Sequence, residues 1–145
     1  MNKGDVLKTK TILFILLLLP LTISAETETK FYAGLWDYTI DVKMQAMPQS
    51  ELKTVRKCIK EINEVISLFK PDPSCSISQV QVHASQLSWK LYCKTSGGTY
   101  HGNAKLEGNE HAIQGRVDLQ TFIPGMKNVM RTAYIISGVN RGTCQ

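Results

Sequence analysis

Two turn signals in the middle of the chain, Gly97-Gly98 and Gly108-Asn109, restrict the fold more than any other feature. A two-residue hairpin loop at Gly108-Asn109 places Glu107 opposite Glu110. It then sets Leu106 across from His111, Ala104 across from Ile113 and Tyr100 across from Val117. The apolar residues share one face, and His101, Asn103, Lys105, Gln114 and Arg116 take the other. A turn at Gly97-Gly98 sets Trp89 against Leu106, Leu91 against Ala104 and Cys93 against Gly102. Both hairpins select the same inner face, and a slip of one residue in either would reverse it, because strand side chains alternate. The middle of the chain is thus committed to an antiparallel sheet with one buried face.

The flanking segments extend that sheet. From Gly34, the apolar residues Trp36, Tyr38, Ile40, Val42 and Met44 alternate with Asp37, Thr39, Asp41 and Lys43, the pattern of a half-buried strand. Met47-Pro48-Gln49 breaks it, and a shorter strand from Leu52 to Ile59 follows. Over Lys60 to Lys70 the period changes: Ile62, Val65, Ile66 and Phe69 fall on one helical stripe. The helix must stop before Pro71-Asp72-Pro73, since proline removes a backbone donor and restrains the residue before it. A last strand runs from Val129 to Val139 after a Pro124-Gly125 turn. The expected fold is mainly β, a single antiparallel sheet of about seven strands curled into a barrel or packed as a sandwich, with one short helix near residues 60–70.

The first 25 residues stand apart from this domain. Lys3, Lys8 and Lys10 precede an almost unbroken apolar run from Thr11 to Ile23, and Ile23-Ser24-Ala25 offers a small residue at a cleavage point. The run spans about 20 Å as a helix, short of the roughly 30 Å hydrocarbon core of a bilayer, so an export signal is favoured over a transmembrane anchor. No cysteine sits at the cut, and a lipoprotein anchor is not indicated. Cleavage leaves one domain, residues 26–145, of about 120 residues, enough for a modest core. It also removes three lysines and Asp5, lowering the formal net charge of +5 by two. The densest basic group, Lys53, Arg56, Lys57 and Lys60, is interleaved with Glu51, Glu61 and Glu64, which reads as a solvated face and not as a nucleic-acid stripe.

All four cysteines, Cys58, Cys75, Cys93 and Cys144, follow the leader. An even count in an exported small domain predicts two disulfides, and no Cys-x-x-Cys spacing supports a structural zinc site. A two-residue turn at Ala84-Ser85 puts Cys75 and Cys93 on opposite faces and favours Cys58–Cys75 with Cys93–Cys144. A three-residue turn there would instead set Cys75 across from Cys93.

Several marks taken in order resemble a family of exported bacterial proteins catalogued as domain of unknown function 3617. They are Gly34-Leu35-Trp36, Met44-x-x-Met47-Pro48, Cys58 ahead of a short helix, Cys75, Trp89-x-x-x-Cys93, Gly98-Thr99-x-x-Gly102 and Arg141-Gly142-Thr143-Cys144. The resemblance covers the chain after the leader and implies a periplasmic protein of one domain. It implies no activity and carries over no functional residues.

Candidate chemistry is sparse. Met44 and Met47 form a Met-x-x-Met pair, and Met126 and Met130 lie four apart; thioethers suit Cu(I). Met44, however, continues the apolar face of the first strand, and methionine is a common filler of cores. The three histidines form no site: the register puts His101 on the solvent face beside Arg116, His111 on the core side and His83 near another turn. No Gly-x-Ser-x-Gly elbow, His-Glu-x-x-His helix or phosphate loop is present. Asp37 and Asp41 lie about 13 Å apart on one strand, too far for a carboxylate pair. The sequence predicts no enzyme and no cofactor. It predicts a secreted, non-catalytic binding or envelope interaction protein, with neither nucleic acid nor a membrane span after cleavage. The alternatives are a carrier of a small apolar ligand, lined by Trp36, Tyr38, Trp89 and Tyr100, and a Cu(I)-binding protein.

Overall fold

The computed structural model describes residues 32–145; the leader expected over residues 1–25 lies outside them. Seven strands and one helix follow in the order β1 Gly34–Met44, β2 Glu51–Ile59, α1 Ile62–Leu68, β3 Ser76–His83, β4 Gln86–Thr95, β5 Gly98–Gly108, β6 Ala112–Phe122 and β7 Met130–Asn140. All strands pair antiparallel in one sheet of order β2-β1-β7-β6-β5-β4-β3.

Alternation decides which side of the sheet is buried. β1 turns Trp36, Tyr38, Ile40 and Val42 inward, β4 turns Leu87, Trp89, Leu91 and Cys93, and β6 adds Ile113, Val117 and Leu119. Against this face lies α1, whose Val65 and Ile66 are buried, with Phe69 just beyond its end. The helix begins where the Glu64 carboxylate accepts the backbone N–H groups of Lys60 at 2.6 Å and Glu61 at 3.1 Å. It ends at Leu68, ahead of the proline pair, and Asp72 then accepts from the Ser74 N–H at 2.7 Å as the chain turns into β3.

The sheet does not close into a barrel. Its outermost strands, β2 and β3, are consecutive in sequence yet lie at opposite edges, and the segment from Lys60 to Ser74 carrying α1 crosses the inner face between them. Both edges resist pairing with a further strand. Lys53, Arg56 and Lys57 charge β2, and β3 is bulged between Ser78 and Gln81. Helix and edge devices thus do what closure would do in a barrel.

Both hairpins keep the expected inner face, but their turns sit elsewhere. In β4–β5 the turn is Ser96-Gly97, so Trp89 faces Ala104, Leu91 faces Gly102 and Cys93 faces Tyr100. Gly98 belongs to the strand, at φ +146°, and a Cβ there would run into the carbonyl oxygen of Phe122. In β5–β6 the turn falls at Glu110-His111, because the Asn109 side chain accepts the N–H groups of His111 at 2.8 Å and Ala112 at 3.0 Å. Ala104 therefore faces Val117, Leu106 faces Gly115 and Tyr100 faces Thr121. Each displacement moves the register by an even number of residues, which leaves the faces unchanged.

The disulfides are Cys58–Cys144 and Cys75–Cys93, not the pairing favoured from the sequence. The Ala84-Ser85 turn does have two residues, with His83 facing Gln86. The bulge then shifts the ladder by one and brings Cys75 across from Cys93. The segment carrying α1 consequently has a disulfide at each foot.

Candidate functional site

The four aromatics expected to line a ligand site all project from the inner face. Trp36 and Tyr38 are fully buried with ring centroids 5.9 Å apart, and Phe69 meets Tyr38 edge-on at 5.3 Å. Trp89 is buried on β4, and Tyr100 is half-buried opposite Cys93. The three buried members belong to one core cluster with α1 and the inner faces of β4 to β6. Among the described residues, the Trp36 and Trp89 indole nitrogens and the Tyr38 hydroxyl have no hydrogen-bond partner. Burial pushes the Tyr38 phenol well above its usual range.

The remaining candidates do not converge. Met44 is half-buried at the end of β1, whereas Met47 stands 61 % exposed in the following loop. Among the described residues no three His, Cys, Asp or Glu side chains gather as metal ligands. His101 lies on the outer face opposite Gln120, and Arg116 instead faces Lys105. His111 is exposed, 3.3 Å from the Glu110 carboxylate, because the turn forms two residues later than the dipeptide Gly108-Asn109 suggested. His83 is exposed at the end of β3. Asp41 is 3.6 Å from Lys43.

Two features were not legible beforehand. Asp37 receives Arg56 through two guanidinium nitrogens at 2.5 and 2.8 Å and Arg141 through Nε at 2.9 Å, joining β1, β2 and the C-terminal segment. Arg56, and after it Arg141, hold the Asp37 carboxyl well below the usual carboxylate range. The other feature is an apolar end to the sheet. Registers place the β1–β2 loop (residues 45–50), the β4–β5 turn and the β6–β7 loop (residues 123–129) at the same end. Gln45 donates its N–H to the Arg131 carbonyl at 3.0 Å, linking two of them, and a hollow of about 550 Å³ lies between Gln45, Ala46 and residues 128–131. Met47, Phe122, Met126 and Val129 are exposed here. On the outer face beside Phe122, His101 meets its ring edge-on at 5.4 Å and that of Tyr92 at 4.9 Å. A periodicity search finds none of these, since their proximity arises from three separate connections.

No curated protein and no solved structure matches the chain. The family model described as protein of unknown function (DUF3617) matches residues 31–144, and the chain belongs to that family.

Proposed function

We propose that the protein is an exported, non-catalytic interaction module of the cell envelope that works through its surface. The observation that carries this reading is where its apolar side chains stand. Trp36, Tyr38 and Trp89 pack into one core with α1, while Met47, Phe122, Met126 and Val129 are held out to solvent at one end of the sheet. Exposed apolar side chains gathered on a small protein mark contact sites. The basic, apolar leader and the paired cysteines support export to an oxidising compartment, the periplasm in the bacterial setting the family resemblance implies.

One observation favours a second reading, a carrier of a small apolar ligand. Three buried donors, on Trp36, Tyr38 and Trp89, have no partner among the described residues, and a ligand bearing acceptor oxygens would satisfy them. Native mass spectrometry of protein purified from its own envelope separates the two. The interaction reading expects the mass of the processed chain with two disulfides and nothing more. A stoichiometric small molecule would replace it with the carrier reading, and a bound copper ion with the Met-based one.

A further inference from the structure

We infer that the loop end of the sheet docks on an anionic lipid surface; this rests on the interaction reading above and names the partner. Of the nine large apolar side chains exposed among the described residues, four lie at this end: Met47, Phe122, Met126 and Val129. Met47 and Met126 are the most exposed of these, at 61 % and 54 %, while Val129 lines the hollow and Phe122 packs against His101. A Cβ added to Gly125, at the tip between Pro124 and Met126, would meet nothing within 4 Å, so the loop projects into solvent. A protein hot spot sits in a well-packed pocket, whereas a projecting apolar tip suits insertion into a fluid phase.

Charge supplies the complement. Asp41, Glu51 and Asp118, the acids nearest this end, are engaged by Lys43 at 3.6 Å, Lys53 at 3.3 Å and Arg116 at 2.6 Å. Lys94, Lys127 and Arg131 form no ion pair among the described residues. Lys94 faces Thr99, which faces Phe122; Lys127 is in the projecting loop, and Arg131 faces Gln120. Three unneutralised cations therefore border the apolar tip, the arrangement by which peripheral proteins bind negatively charged headgroups. No helix among the described residues is long and apolar enough to span a bilayer, so the contact is one of loops with the interface.

The test is sedimentation with vesicles, using protein purified after export in the form in which it accumulates. Binding is expected to phosphatidylglycerol vesicles, to be much weaker with phosphatidylcholine, and to fall as salt rises. Each cation near an anionic surface is worth about fivefold in affinity, so Lys94→Gln, Lys127→Gln and Arg131→Gln together should weaken binding about 100-fold. Phe122→Ser with Met126→Ser should abolish it, with the emission of buried Trp36 and Trp89 unchanged as proof of folding. No sedimentation with phosphatidylglycerol, or undiminished binding by both variants, overturns the lipid assignment. A benzophenone amino acid placed at Met126 and irradiated in intact cells tells the two failures apart. A defined protein adduct without vesicle binding overturns the lipid partner and keeps the interaction module; neither adduct nor vesicle binding overturns both.

Discussion

Cys75 lies 4.0 Å from Cys93, Cα to Cα, because β3 carries one residue more than the part of β4 that it faces. Gln81 faces Ser88 and Ser78 faces Lys90, so Gln79 and Val80 together oppose Trp89. An unbroken ladder from the Ala84-Ser85 turn would have put Ser76 across from Cys93. Looping that residue out as a bulge, instead of pairing it, makes the disulfide geometrically available and roughens the edge of the sheet at the same point.

The bulge is achieved by Gln79, the one non-glycine residue with positive φ among those described, at 51°. A β-branched side chain tolerates that conformation poorly and glycine adopts it freely. Gln79→Val is expected to cost about 1–2 kcal/mol and Gln79→Gly to be neutral or stabilising. Urea unfolding midpoints of the two variants check this. Deleting Gln79 regularises the ladder with Ser78 still facing Lys90, so peptide mapping should find Cys75–Cys93 intact.

The two disulfides should differ in worth. Cys58–Cys144 spans 86 residues of sequence and Cys75–Cys93 spans 18. By the entropy of closing those loops in the unfolded chain, the first contributes about 4–5 kcal/mol and the second about 3 kcal/mol. Replacing each pair by alanine and measuring denaturant stability tests the ranking. The opposite order would mean that backbone pairing of the C-terminal segment, in which the Leu35 N–H donates to the Gly142 carbonyl at 2.8 Å, fixes that segment without its covalent tie.

Acid should loosen the join between β1, β2 and the C-terminal segment through Asp37. Its carboxyl is depressed in the folded protein by Arg56 and Arg141, while in the unfolded chain it titrates near the ordinary value of about 3.9. The unfolded state therefore takes up the proton first, and the stability contributed by this group is complete above about pH 4 and declines as pH falls further. Asp37→Asn should remove that decline. Urea midpoints followed downward from neutral pH are expected to fall less steeply for Asp37→Asn than for the wild-type chain. Parallel curves would show that the two guanidinium contacts contribute nothing to folding.

Much of this architecture was legible because the sheet reads in units of two. Misplacing the β4–β5 turn by one residue and the β5–β6 turn by two changed every cross-strand partner, yet Trp89, Leu91, Ala104, Leu106, Ile113 and Val117 stayed on the inner face. What decided the second turn was a side-chain hydrogen bond: Asn109 stands before the turn and accepts from its far side, where the Gly-Asn dipeptide suggested a residue within it. The disulfide pairing was out of reach because a bulge of one residue leaves no mark in hydrophobic alternation. The loop end was hidden for another reason. Lys94 and Phe122 look unremarkable in the chain and are set on either side of Thr99 only by the observed registers of β4, β5 and β6, while Met47 joins this end only once β7 pairs with both β1 and β6.

Tyr38 and Gly138 provide the sharpest test of the core. They face each other across β1 and β7, and a Cβ on Gly138 would come within 2.8 Å of Tyr38 Cδ1, 2.9 Å of its Cε1 and 3.4 Å of Trp36 Cε3. The tyrosine ring thus occupies the place a side chain would take, with Phe69 against it on the helix side. Gly138→Ala is expected to cost about 1–3 kcal/mol, because the ring is held between strand and helix and cannot withdraw freely. Tyr38→Ala should cost about 3–5 kcal/mol through the cavity it leaves. Combined, the two changes should cost less than their sum, since removing the ring removes the clash. Tyr38→Phe isolates the hydroxyl, which has no partner among the described residues, and should be neutral or stabilising. A loss above about 1 kcal/mol in Tyr38→Phe would instead mean that the hydroxyl is hydrogen-bonded in the native protein, which would move weight from the interaction reading to the carrier.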